Sequence, residues 1–297
     1  MLNHRLIKDK TAQAVMYIFT CVAILMVFAV GYGLYRESAP LFKISSVWDL
    51  TSSNEWKPLS QQFGFASFIM GTIWVTTLAI AWVLPISLMT AVYLTEYAHS
   101  RVKRYVFPAL DILAGLPSVI YGVWGALLIV PWVANKIAPL FDVTTTGYNI
   151  LSASIVLGVM CLPLLVSLFI EIFSSIPSDL REASLALGAT RWQTTKKVVL
   201  RKSLPGIIAS VVLAVSRALG ETIAVLMVVG GGVNMPHSPF DSANPLPALI
   251  ASYFSEMMSL PICMSALMFA ALVLFVVVFV FNLVSRIVLY RIEKTFV

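Results

Sequence analysis

The 297 residues are 59% apolar and only 11% charged, with a mean hydropathy of +0.91. A water-soluble domain carries about a quarter charged residues and cannot hide so large an apolar fraction in one core, so a soluble enzyme is excluded and an integral membrane protein is expected. The excess of 20 Lys and Arg over 14 Asp and Glu gives a net charge of +6, which membrane topology explains better than a nucleic-acid partner.

About 20 apolar residues suffice for a helix to cross a bilayer. Six runs qualify, near 12–35, 65–93, 106–132, 148–173, 206–231 and 260–288. They define one all-α polytopic membrane domain over residues 1–297. The first run follows MLNHRLIKDK, is longer than the apolar part of a signal peptide and lacks a small-x-small cleavage site, so it reads as a retained helix. In the third run Pro117, within AGLPSVIYG and flanked by Gly115 and Gly122, should bend or interrupt the helix, either to line a path or as a packing kink. Asp111 and Glu171 fall near the ends of the third and fourth runs, where carboxylates can reach water. Cys21, Cys161 and Cys263 lie in or beside apolar runs without metal-ligand spacing and read as small buried hydrophobes. His4, His99 and His237 are far apart, so no metal site is expected. There is no internal repeat and no GxxxxGK[ST] stretch, and Gly230, Gly231 and Gly232 read as a helix end.

Cationic flanks of short loops remain on the cytoplasmic side. With the N-terminus inside, fifteen Lys and Arg fall on inner segments, four (Arg36, Lys43, Lys57, Lys136) on outer ones, and Arg217 inside a span. Both termini are therefore expected in the cytoplasm. The loops near 36–64, 133–147 and 232–259 would face out and those near 94–105 and 174–205 in.

The loop SDLREASLALGATRWQTTKKVVLRKSLP, residues 178–205, suggests two short helices around a turn at Gly188. Leu180, Ser184 and Leu187 recur at helical spacing, a face that suits either a docked partner or the anionic inner leaflet. In the fifth run, GIIASVVLAVSRALGETIAVLMVV, Arg217 falls at the middle of a helix roughly 36 Å long, with Glu221 four residues on and on the same face. A guanidinium at that depth costs at least about 2.5–3.5 kcal/mol, so it should face protein or a water-filled path. Two readings stand: a fork of donors for a tetrahedral oxyanion, or a self-neutralising buried ion pair that locks helices. Under the first, Glu221 can accept a hydrogen bond from protonated phosphate and repel sulfate. Ala214, Ser216, Ala218 and Gly220 would permit close approach of a neighbouring helix or subunit.

The segment Glu182-Ala183-Ser184, with Gly188 and then Leu204-Pro205, resembles the EAA loop of importer-type ABC permeases, Ser184 standing for the second alanine. AVYLTEYA (91–98), LDILAGLPSVIYGVWG (110–125), the 182–209 stretch and SRALGETIAVLMVVGG (216–231) together resemble the phosphate-specific ABC importer permease, in particular its PstC-type subunit. The resemblance implies a permease that is not itself an enzyme and needs no cofactor. Its loop, through Glu182, Ala183, Ser184 and Gly188, would enter a groove of a separate ATPase that uses ATP and Mg. It further implies a second homologous permease subunit, two ATPase subunits, an extracytoplasmic phosphate-binding protein, and an inner-membrane location. Arg217 and Glu221 then match the positions implicated in phosphate passage. A permease for another oxyanion, a secondary anion carrier and a non-transporting scaffold are the competing readings.

Overall fold

The computed structural model describes residues 2–257 and 259–296. Helix α1 (Leu2–Ser38) leads to the short α2 (Val47–Ser52) and a hairpin of β1 (Trp56–Lys57) with β2 (Gln62–Phe63), antiparallel with Trp56 opposite Phe63. α3 (Ala66–Val92) runs into a π turn at Tyr93–Tyr97, followed by α4 (Ser100–Gly115). α5 (Ser118–Trp124) continues through π turns around α6 (Val130–Trp132). Then come α7 (Ile150–Ser174), α8 (Ser178–Ala186), α9 (Arg191–Thr194), α10 (Leu200–Lys202), α11 (Leu204–Leu219), α12 (Ile223–Val229), α13 (Leu246–Met257) and α14 (Pro261–Phe296).

Among the described residues, five uninterrupted helical runs are long and apolar enough to cross a membrane: Lys10–Ser38, Ala66–Tyr97, Ser118–Phe141, Ile150–Ser174 and Pro261–Arg291. A sixth candidate is a pair, Arg191–Lys202 with Leu204–Leu219, bent by 64°. The chain is all-α apart from the small hairpin, and it is a multi-pass membrane protein.

Two expected spans are corrected. The third does not run over 106–132 but over Ser118–Phe141. Proline lacks a donor N–H and disfavours the helical region for the residue before it. Leu116 is accordingly extended (φ −66°, ψ 134°), and residues 106–115 belong to the separate amphipathic helix α4, which packs Leu110 near Val166 of α7. Hydropathy summed along the chain cannot see that break. The fifth span, expected over 206–231, is interrupted between Leu219 and Ile223. The last turn of α11 tightens there, with the Gly220 and Glu221 N–H groups donating to the carbonyls of Arg217 and Ala218, both at 3.2 Å. Cys161 and Cys263 are buried as expected, but Cys21 is exposed: α1 lies against α14 on one face and leaves the rest of its surface uncovered.

The seam between α3 and α7 is the structural centre. Val75, Ala79 and Val83 from α3 and Ala153, Leu157, Cys161 and Leu165 from α7 recur every four residues and are all at least 98% buried. In lipid, apolar transfer supplies little drive between helices, so close packing with small residues and buried hydrogen bonds carries the association. Gly158 provides the closest approach, because a Cβ there would overlap the Trp82 indole, whose Nε1 donates to the Ser154 carbonyl at 3.3 Å. At the other end of the bundle Trp56 packs edge-on against Phe63, Phe65 and Phe68 with centroids 5.7, 5.4 and 5.1 Å away, seating the hairpin on α3. We expect Gly158→Leu to destabilise the chain by about 1–3 kcal/mol through overpacking. The check is thermal unfolding of the detergent-purified protein, and Trp82→Leu in the same chain should recover part of the loss.

Candidate functional site

Arg217 occupies the last turn of α11, and Glu221 lies in the break beyond it, outside either helix. The expectation that both share one continuous helical face is therefore corrected. Arg217 is exposed and makes no hydrogen bond or ion pair among the described residues, whereas Glu221 is half-buried. The Glu221 carboxylate turns toward α12 and accepts the Ala224 N–H at 3.3 Å, while Thr222 Oγ1 donates to the Gly220 carbonyl at 3.2 Å. The self-neutralised pair is thus not formed. One carboxylate oxygen is used to satisfy a backbone donor left open by the break, which the absence of water in a bilayer makes necessary.

The small residues of α11 are divided between neighbours. Ala214 and Ala218 are buried. The Ser216 hydroxyl proton is shared between the Val212 carbonyl of its own helix at 2.8 Å and Asn282 Oδ1 of α14 at 3.1 Å, a polar tie sequence reading did not foresee. With Ala214 and Ala218 turned inward and Ser216 joined to α14, Arg217 is presented on a side of α11 that this chain leaves open. An uncovered guanidinium at membrane depth needs a polar surrounding.

The 178–205 segment forms the two short helices expected, α8 and α9, with Gly188 at φ +83° between them. The turn closes through the Ala189 N–H to the Ser184 carbonyl at 3.3 Å and the Gly188 N–H to the Leu185 carbonyl at 2.9 Å. Thr190 and Gln193 form a reciprocal capping box that starts α9. Glu182 and Ala183 are exposed, as are Leu180 (41%), Leu185 (43%) and Leu187 (90%). Ser184 departs from its expected place on the open face: its hydroxyl meets Thr194 Oγ1 at 2.9 Å and ties α8 to α9.

Sequence reading also missed a clamp behind α8. The Arg181 guanidinium bonds both carboxylate oxygens of Glu96, in the π turn ending α3, and donates to the carbonyls of Phe173 and Ile176 at the end of α7. The partners lie 85 residues apart, and the only sequence hint is a carboxylate just past an apolar run in AVYLTEYA. Asp111 and Glu171 both line a cavity of about 220 Å³ beside Phe107 and Ile170, although Asp111 belongs to α4 rather than to a span. No group of three His, Cys, Asp or Glu side chains among the described residues is placed to hold a metal.

Residues 83–296 match the family model for the binding-protein-dependent transport system inner membrane component. A probable phosphate transport system permease protein PstC from Methanocaldococcus jannaschii is 37% identical over 89% of this chain and 88% of its own length. The phosphate transport system permease protein PstC of Pasteurella multocida is 32% identical over 99% and 95%. Among solved structures, a bacterial alginate ABC transporter in complex with alginate pentasaccharide-bound periplasmic protein superimposes with a TM-score of 0.62 at 17% identity, covering 95% of this chain and 97% of that one, a likeness of fold. With 72% of its length inside the matched model, this chain belongs to the family of binding-protein-dependent transport system inner membrane components.

Proposed function

We propose that this chain is the membrane-spanning permease subunit of an ATP-driven importer that carries inorganic phosphate into the cytoplasm. The observation that carries the reading is Arg217, an exposed guanidinium with no ion pair among the described residues, at the end of a membrane helix that stops two residues before the carboxylate of Glu221. The planar fork of Arg217 complements a tetrahedral oxyanion, and exclusion of bulk water strengthens the attraction. Glu221 lies four residues further along and is held by the Ala224 N–H. Its remaining lone pairs can accept the proton of hydrogen phosphate, whereas fully ionised sulfate meets only repulsion. The relatives named as phosphate permeases support the same substrate.

In this reading the 174–205 segment, with α8, and both termini face the cytoplasm, since fifteen of the Lys and Arg in the sequence fall on segments assigned to that side. The exposed Leu180, Leu185 and Leu187, with Glu182 and Ala183, form the surface that enters a groove of the ATPase. Two ATPase subunits bind ATP and Mg. A second homologous permease subunit covers the open side of α11, an extracytoplasmic phosphate-binding protein delivers the anion at the hairpin end, and membrane lipid surrounds the rest.

The experiment is ATP-dependent uptake of labelled phosphate by the reconstituted complex, with and without excess sulfate. Arg217→Ala should lower uptake at least about 10-fold, the factor that roughly 1.4 kcal/mol of lost interaction produces, with assembly unchanged. Arg217→Lys keeps the charge and loses the fork, so it should also fall well below the native chain. Uptake that persists without ATP would instead establish a secondary carrier. Glu221→Gln retains an oxygen for the Ala224 N–H but removes the charge. We expect that variant to assemble and to become sensitive to sulfate, read as competition by sulfate against labelled phosphate. Leu187→Asp should leave the spans folded and abolish co-purification of the ATPase, because a charge replaces the most exposed leucine of the docking surface.

A further inference from the structure

The Arg181 guanidinium uses all three of its nitrogens. Nε lies 3.2 and 3.3 Å from the two carboxylate oxygens of Glu96, and Nη2 lies 2.9 Å from Oε1. Nη1 donates to the Ile176 carbonyl and Nη2 to the Phe173 carbonyl, each at 2.7 Å. The side chains are 22% and 14% exposed, against 60% for each partner of the surface pair Lys57–Glu55. A bidentate, largely desolvated pair of this kind has a fixed geometry, whereas an exposed pair is screened and mobile. The two carbonyls belong to the terminal turn of α7 and the residues just after it, where backbone acceptors lack intrahelical donors and favour a cation.

Three elements meet at this one side chain. α8 supplies Arg181, α3 ends in the turn that carries Glu96, and α7 ends in the carbonyls. α3 and α7 are already joined along their length by the seam of Val75, Ala79, Leu157 and Leu165. The other route from α8 into the membrane passes by the Ser184–Thr194 hydroxyl contact, α9, α10 and the 64° elbow before α11. That route turns through the elbow and several short helical pieces, whereas the clamp joins α8 to α3 and α7 in one step and cannot lengthen without losing charge-assisted bonds.

We propose that Arg181 is a positioning residue of the transport cycle, whose clamp to Glu96 and the end of α7 makes α8, α3 and α7 one rigid body. A displacement imposed on α8 by the ATPase then moves the α3–α7 pair directly. It reaches Arg217 because α11 packs against α7. The proposal deepens the importer reading and rests on it. It assigns the pathway of force to a specific side chain, with the adjoining Glu182 left on the docking surface.

The test uses the reconstituted complex with its ATPase and binding protein, measuring phosphate uptake and ATP hydrolysis in the same vesicles. Arg181→Lys can hold Glu96 by one contact but cannot also reach both carbonyls, and Glu96→Gln keeps the shape while removing the charge. Both should assemble and hydrolyse ATP near the native rate, while phosphate moved per ATP hydrolysed falls at least about fivefold, the lower range of couplings between sites. The double variant should lose no more than the worse single one, because the pair acts as a unit. If the ratio stays native, or uptake and hydrolysis decline together in proportion, Arg181 is an anchor for folding and the proposal is overturned. A native complex that hydrolyses ATP without moving phosphate would remove the substrate assignment alone. The clamp is then judged by the same ratio, anion moved per ATP hydrolysed, with the oxyanion that the native complex does carry: the variants lower it if the clamp transmits and leave it native if it does not.

Discussion

A hydrocarbon surrounding offers no hydrogen bonds to a helix that stops, and this chain stops one between Leu219 and Ile223. The break is made tolerable by its own residues. The Gly220 and Glu221 N–H groups fold back on the preceding turn, Thr222 Oγ1 takes up the Gly220 carbonyl, and the Glu221 carboxylate accepts the Ala224 N–H. Glu221 is therefore a backbone cap and a charge in the membrane at once. The cap holds its carboxylate toward α12, and Arg217 is left with open donors.

What keeps a broken helix in place is the rigid frame beside it. α7 is central to that frame: it packs against α3 on one side, and α11 and α12 lie along it on others. Both halves of the interrupted span are thus referenced to one uninterrupted helix. The polar tie of Ser216 to Asn282 adds α14 to the support of α11, at the residue before Arg217. Small residues at the contacts, among them Ala79, Ala153 and Gly158, allow the backbones to approach without lipid between them.

The membrane class and the helix-turn-helix of residues 178–194 were legible, because each rests on a local signal: apolar runs, Gly188, and the Thr190 to Gln193 cap. Two kinds of feature were not. Hydropathy averages over a window, so it merged α4 with α5 and α11 with α12, although Pro117 marked the first break in plain view. Arg217 and Glu221 stood out by being charged in an apolar run, yet their assumed shared face required a continuous helix that the chain does not form. Tertiary pairings left no local trace at all. Arg181 read as one cation among a cluster and Ser184 as part of an open face, while the fold commits the first to Glu96 and the second to Thr194.

The separation of Arg217 from Glu221 has a chemical logic. A guanidinium already locked to a carboxylate in a low-dielectric site would have to surrender charge-assisted bonds before it could receive an anion, and an uncompensated buried charge costs several kcal/mol. The bond from the Ala224 N–H to one Glu221 oxygen holds that carboxylate toward α12, beyond ion-pair reach of the guanidinium. No carboxylate among the described residues lies within ion-pair distance of the arginine, so an anion approaching the open side of α11 meets unshared donors. A site that must bind and release the same ion is better served by a cation whose compensation comes from outside its own chain than by one that is complete within it.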